Sequence, residues 1–326
     1  MRISPSRRAV LAGAAALALP AVAHGADAFP SRPVRLVLGV PPGGAPDVAA
    51  RLMADGLAAR WKQPVVVDNR PAGNGNVAAQ AVARGEADGH MLLMAQASIL
   101  VLNEFLIRSV PYDTERDFVP VSHLMSTPLM IAAGPNLPVK DLAELKRVAK
   151  ERGGRMTFAT SGATNLPRFA GEMLKAALGI EMNNVSYSSV PGAIQDTIMG
   201  RTDLVIDGTP VITPQVRGGQ LKPIAVTSET RFPTLQDIPT VAETVPGFAA
   251  VGWFGLVAPK ATPQPAVARI ADDMRAVLET PEIKERLLRD FGAEVIASSP
   301  ETFARFLGAE RTRYRTLIKE AGIVPE

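Results

Sequence analysis

Short apolar runs alternate with longer stretches of helical period through most of this chain of 326 residues. The runs are VRLVLGV from Val34, PVVVD from Pro64, HMLLMAQ from His90, LMIAAG from Leu129, RMTFAT from Arg155, DLVIDG from Asp203, PIAVTS from Pro223 and WFGLVAP from Trp253. Most are apolar throughout instead of alternating. That predicts strands covered by helices on both faces, hence an α/β fold with largely parallel sheets. The helical stretches carry their own punctuation. Asp47 is placed to cap a helix that turns Val48, Leu52 and Met53 inward, and Asp141 with Glu144 makes a capping-box-like start that stops at Gly153-Gly154. Toward the C-terminus Val267, Ile270, Met274, Val277 and Leu278 form one apolar stripe, and Thr280-Pro281 and Ser299-Pro300 each open a further helix.

No long linker divides the chain, and no internal repeat is visible. The runs Leu129 to Ala133 and Trp253 to Ala258 are spaced so that the chain can leave one lobe and return to it. The expected division is a first lobe of residues 30–126 plus 248–326 and a second lobe of residues 127–247.

Composition narrows the function. The formal charge is +3, but Arg2, Arg7 and Arg8 lie in the first ten residues; setting these three aside from 35 basic residues leaves 32, equal to the 32 acidic ones. A neutral chain with 5% aromatic residues offers neither a phosphate-binding stripe nor a stacking platform, so nucleic acid is not an expected partner. Arg7-Arg8, the apolar run Val10 to Leu19 and then Pro20 read as a signal peptide over residues 1–26, by the general or the twin-arginine route. Ala21-Val22-Ala23 or the neighbourhood of Ala26 and Ala28 offers the cleavage site. The apolar run is too short to span a bilayer, so the expected compartment is the periplasm, without membrane insertion. With no cysteine there is no disulfide framework, thiolate nucleophile or zinc ribbon.

The most informative segment is VRLVLGVPPGGAPDVAARLMADGL, in which a buried strand runs through Pro41-Pro42-Gly43-Gly44 into a helix. Glycines let a ligand approach the backbone, and the free amides and positive dipole end of a helix start favour an anion without an arginine. A second such loop, NRPAGNGNVAAQAVA from Asn69, follows the next strand, and a third, FATSGATNLPRFAGEML from Phe158, lies in the expected second lobe. Two anion-friendly helix starts on opposing lobes would make a clamp.

The blocks FPSRPVRLVLGVPPGG..D, QPVVVDNRPAGNGN, ADGHMLL, VPYDTERDFVPV, AVTS..RFPTLQDIPTVAE and WFGLVAP, in that order, resemble the tripartite tricarboxylate transporter receptors, also called Bug proteins, across nearly the whole chain. The resemblance implies a type II periplasmic-binding-protein fold: two α/β lobes joined by two crossing strands, with a small carboxylate in the cleft. It also implies a monomeric receptor that docks on the membrane subunits of a tripartite transporter, or a solute sensor of the same fold, with no cofactor or metal. The family's first binding loop falls on Pro41, Pro42, Gly43, Gly44 and Asp47, and its second-lobe loop on Ser161, Gly162, Ala163, Thr164 and Asn165. Asp207, in VIDGTP, stands where the family has an aspartate facing the cleft. Two departures stand out. Pro46 replaces a hydroxyl residue, and NLPR from Asn165 replaces a Ser/Thr-rich run ending in histidine, which makes Arg168 a candidate partner for a second anionic group.

Each candidate has a plainer explanation. Asp47 can serve only as a helix cap, Arg168 can be a structural arginine, and Tyr187 with Ser188 and Ser189 can line the cleft or form an ordinary loop. Trp253 and Phe254 can pack the hinge or close over ligand, with hinge packing the expectation. Gly73-Asn74-Gly75-Asn76-Val77-Ala78 matches G-x-G-x-x-A, but its turn is too long for a dinucleotide site. Neither His90, in the turn ADGH, nor His123 has a catalytic partner in sequence, no G-x-S-x-G elbow is present, and no His and carboxylate pair stands at metal-ligand spacing. The expectation is a binding protein, not an enzyme acting on a carboxylate.

Overall fold

The computed structural model describes residues 29–43, 45–162 and 165–320. The expected signal peptide, residues 1–26, lies outside the described residues, as do Gly44, Ala163 and Thr164. The chain opens with β1 (Val34–Leu38), α1 (Ala45–Trp61), β2 (Val65–Asn69), α2 (Asn76–Ala83) and β3 (Met91–Gln96). A π-helical turn (Ser98–Leu102), α3 (Asn103–Leu106) and α4 (Thr114–Asp117) lead into β4 (Phe118–Ala133). Next come α5 (Leu142–Arg152), β5 (Thr157–Ser161), α6 (Leu166–Leu178), β6 (Asn183–Tyr187), α7 (Val190–Ile198), β7 (Leu204–Gly208), α8 (Thr209–Arg217) and β8 (Lys222–Val226). The chain then returns through β9 (Val251–Pro259), α9 (Gln264–Leu278), α10 (Pro281–Phe291), β10 (Glu294–Val295) and α11 (Pro300–Glu320).

The strands follow the order β2-β1-β3-β9-β4-β7-β5-β6, with β10 and β8 also on β4. The outer pairs β1–β2, β1–β3, β5–β6 and β5–β7 are parallel, as expected of strands buried between helices. The centre is antiparallel and is organised by β4, which is 16 residues long. Phe118 to Pro128 pairs with β9, whereas Leu129 to Ala133 pairs with β7 and, from Met130, with β8. A single strand therefore belongs to two sheets. Register shifts after Pro120 and His123 let it bend, since proline donates no ladder bond and bulges turn a strand.

The second crossing is shorter than the sequence suggested. β9 lies in the first sheet, and the chain reaches it through a segment tied to Thr227: the Ala250 amide donates to the Thr227 carbonyl at 2.9 Å, and the Leu129 amide to its hydroxyl at 2.9 Å.

One apolar cluster covers a face of the first sheet with α1, α9 and α10, including the predicted stripe Val267, Ile270, Met274, Val277 and Leu278. A second runs from α2 through Phe118, Trp253 and Phe303 to Phe158, Phe169 and Leu174 beneath the second sheet. α11 makes that continuity possible. It has 21 residues, a span of about 30 Å at 1.5 Å per residue. Phe303 near its start lies on β9, where a side chain at Gly255 would collide with the ring, while Tyr314 near its end meets Phe169 of α6 edge-on at 6.2 Å. α11 therefore reaches from the first sheet toward the second. The last turns of α11 rest against the second.

Candidate functional site

Where β4 passes between the sheets, a crevice of about 240 Å³ opens. Its walls come from the end of β3 and the turn after it (Gln96, Ala97, Ser98), from the crossing region (Thr127, Leu129, Gly252, Trp253, Phe254), and from the second sheet (Ser161, Asn165, Leu166, Pro167, Asp207, Gly208). Ligands of parallel sheets collect beyond the carboxyl ends of strands, and β3, β5 and β7 all end here. A larger hollow of about 500 Å³ lies between α8 and α10, but Arg217, Glu285, Arg289 and Asp290 on its walls are exposed surface charges. We place the candidate site in the smaller crevice, whose polar groups are buried or partly buried and convergent.

Asp207 is the last residue but one of β7 and is 9% exposed. One carboxylate oxygen accepts the Gly208 amide at 2.8 Å, and the other accepts the Ser161 hydroxyl at 2.6 Å. Burial without a cation raises its pKa above the ordinary carboxylate value, and those hydrogen bonds offset the rise only in part. Asn165 completes the chain. Its amide nitrogen reaches the Ser161 hydroxyl at 3.4 Å, while its carbonyl oxygen caps α6 by accepting the Arg168 amide at 3.3 Å. On other walls, the Ser98 and Thr127 hydroxyl oxygens are shut off from solvent and have no hydrogen-bond partner in the protein. Among the described residues no lysine, arginine or histidine lines the crevice.

The first glycine-rich loop differs from the expectation. Pro42 and Gly43 are exposed and do not line the crevice, and the Gly43 amide is not free: it donates to Asp47 at 2.8 Å. Asp47 also accepts two bonds from Arg51, each 3.0 Å, and one from Asn69 at 2.9 Å. Burial pushes its pKa up, but the bonds from Arg51, Gly43 and Asn69 outweigh that and hold it below the ordinary value. Asp47 therefore ties the loop to β2 instead of facing ligand, because every lone-pair direction already has a donor.

Tyr187 and Arg168 are displaced from the expectation in the same way. The Tyr187 hydroxyl donates to Asp196 on α7 at 2.8 Å and its carbonyl accepts the Gly162 amide at 2.9 Å, so both groups are engaged behind the wall. Gly162 supplies the left-handed turn (φ +92°) that brings the chain from β5 toward α6. Arg168 sits on the first turn of α6, beyond the wall residues Asn165, Leu166 and Pro167.

The sequence reading missed Gln96, Ser98 and Thr127. Their signal was position: Gln96 and Ser98 follow a buried strand at its carboxyl end, and Thr127 stands just before the run Leu129 to Ala133. The π-helical turn after Ser98 is a rare element that often marks a site.

The remaining candidates are structural. Asn76, in the second glycine-rich loop, is buried and accepts bonds from Asn103 at 2.7 Å and Tyr112 at 3.1 Å, so this loop is spent on packing. His123 stacks on Phe306 at 4.4 Å, bonds Ser126 at 2.9 Å, and has its pKa pushed down to about 4 by burial. His90 accepts the Ser31 amide at 3.1 Å. Trp253 donates to Glu310 at 3.1 Å and packs on Phe303 and Phe306, so it is hinge packing with one edge on the crevice. Among the described residues no cluster of ligating side chains could hold a metal, and no helix is long and apolar enough to cross a membrane.

A curled α/β sheet, a strand shared by its halves and a polar crevice at that strand define the architecture of an extracytoplasmic solute-binding protein. The chain belongs to the tripartite tricarboxylate transporter receptor family, whose model matches residues 49–323. It is 35% identical to a UPF0065 protein of Bordetella bronchiseptica over 98% of this chain and 94% of the relative. Among solved structures, Rpa4515 of R. palustris with adipate is 33% identical with a TM-score of 0.80, covering 91% of this chain and 100% of that one. The periplasmic binding protein BugD is 30% identical with a TM-score of 0.76, covering 91% and 100% respectively. The type II fold read from the sequence is the fold observed, and the family is one of receptors, not of enzymes.

Proposed function

We propose that this protein captures a small carboxylate in the crevice at β4 and hands it to the membrane subunits of a tripartite transporter. The observation that carries the reading is the pair of buried hydroxyls without partners, Ser98 and Thr127, on a crevice whose second wall holds the start of α6. A carboxylate accepts what they donate, and the positive end of α6 favours its charge. The similar protein Rpa4515 was solved with adipate, which supports the same class of ligand.

In this reading residues 30–126 plus 248–326 form one lobe and 127–247 the other, and the lobes swing about β4 and the Thr227 segment. Ligand stabilises the shut form because only that form satisfies both walls at once. The chain works as a monomer in the periplasm after loss of residues 1–26. Saturating short mono- and dicarboxylates, tested one at a time on the signal-free protein, are expected to raise its melting temperature and shrink its radius of gyration in X-ray scattering. If none of them moves either quantity, the reading fails.

A further inference from the structure

Resting on the closure reading above, we infer that the end of α10, at Gly292, is the stop against which the crevice opens, so that a residue lining no part of the site sets its affinity.

The pleat of β4 separates two spaces, because successive side chains of a strand point to opposite faces. Thr127 and Leu129 line the crevice, whereas Met130 and Ala132 belong to an apolar cluster on the other face, with Ile212 of α8 and Leu235. Leu288 of α10 packs on that cluster, and Leu235 and Leu288 both line the hollow of about 500 Å³. Crevice and hollow therefore lie on opposite faces of β4, and among the described residues none lines both. The β7–α8 junction is the partition: Asp207 and Gly208 line the crevice, and the next two residues, Thr209 and Pro210, line the hollow. One wall of the hollow is carried by the first sheet, through α10, and the other by the second, through α8. A rotation about β4 that opens the crevice must drive these walls together.

The walls meet at Gly292. This residue closes α10 in the left-handed conformation, at φ +53°, and β10 just beyond it pairs with β4 at Met125 and Ser126. A methyl group built on Gly292 would stand 2.9 Å from the Thr209 hydroxyl oxygen and 3.2 Å from a ring carbon of Pro210, inside normal packing distance. The Thr209 hydroxyl has no hydrogen-bond partner among the described residues, so the contact is one of packing alone. Added bulk here destabilises the open arrangement and leaves the shut one free. Apparent affinity then rises with the shut fraction.

Gly292→Ala supplies that methyl group. Because a left-handed φ strains alanine wherever it occurs, Gly153→Ala is the control: Gly153 closes α5 at φ +54° with open space where the added carbon would stand. Both variants are expected to lose similar stability in urea. In titration calorimetry with butyrate, succinate, glutarate and adipate, Gly292→Ala is expected to bind each solute that the wild type binds about 3–10-fold more tightly, and Gly153→Ala to match the wild type. Should Gly292→Ala fail to fold, Thr213→Trp, which fills the hollow one turn further along α8 and away from the crevice wall, carries the same expectation. X-ray scattering without solute is expected to show the rear variant more compact than the wild type and Gly153→Ala. Unchanged or weaker binding by the rear variant overturns the inference, as does equal tightening in Gly153→Ala. If none of the four solutes binds any of the proteins, the carboxylate reading falls by itself, and the scattering comparison decides the stop: equal radii of gyration overturn it.

Discussion

Two buried aspartates stand at strand-to-helix junctions in this molecule, and they have opposite characters. Asp47, 2% exposed, holds Gly43, Arg51 and Asn69 together, and its pKa is lowered. Asp207, 9% exposed, takes bonds from Ser161 and Gly208 without a cation, and has a raised pKa. Depth does not separate them, since Asp47 lies just under a half-exposed arginine while Asp207 lines an internal crevice. What separates them is whether the protein itself completes the set of partners. A completed carboxylate is an architectural part, and an incomplete one is left for something that arrives from outside.

The largest effect that sharpens this contrast is on stability. Asp47→Ala removes the acceptor of four hydrogen bonds and leaves the Gly43 and Asn69 donors to find water. We expect a loss of about 2–3 kcal/mol in urea unfolding, with solute affinity of the folded fraction changed less than threefold. An affinity collapse at unchanged stability would move Asp47 back into the binding site.

Asp207→Asn comes next, with the opposite sign. Removing an uncompensated buried charge should leave stability at pH 7 unchanged or raise it by up to ~1 kcal/mol. Titration separates the two aspartates further. Asp47, whose folded pKa lies below its unfolded value of 3.8, contributes stability that is present above that value and is lost as pH falls through the folded pKa. Asp207, whose folded pKa lies above 3.8, binds its proton first in the native state, so its contribution improves as pH falls through its folded pKa toward 3.8. Urea unfolding from pH 7 down to pH 4 should therefore show the wild type gaining on Asp207→Asn. A constant difference across that range would mean that the Asp207 carboxyl titrates normally.

The sequence made much of the scaffold legible because the scaffold is periodic. Continuous apolar runs such as VRLVLGV and RMTFAT became strands with parallel neighbours, and Asp141, Gly153 and the stripe on α9 behaved as local chemistry requires. The crossing was harder to read. β4 carries Pro120 and Pro128, which argue against a central strand, and it is a strand because β9, β7 and β8 pair with it from far away in sequence. The site divided along the same line. Ser161, Asn165 and Asp207 follow strands in recognisable motifs and line the crevice, while Gly43 and Asp47 belong to an equally recognisable motif that closes on itself. A glycine-rich strand-to-helix loop announces that amides are exposed locally. It does not say whether a neighbouring side chain has already taken them, as Asp47 takes that of Gly43.

The smallest expected effects fall on the two hydroxyls that no motif announced. Ser98→Ala and Thr127→Val each delete an oxygen that makes no hydrogen bond in the ligand-free protein. Removing such a group costs no internal bond, so melting temperatures should hold or rise slightly. If these oxygens meet the solute, each deletion should weaken carboxylate binding about 5–10-fold, the net worth of one ordinary hydrogen bond. Ser126→Ala is the matched control on the same strand, because the Ser126 hydroxyl already bonds His123 at 2.9 Å and is not among the wall residues. It should lower stability modestly and leave affinity alone. The reverse pattern, with affinity following Ser126 and stability following Thr127, would place the binding surface on the hinge side of β4 and empty the crevice of its role.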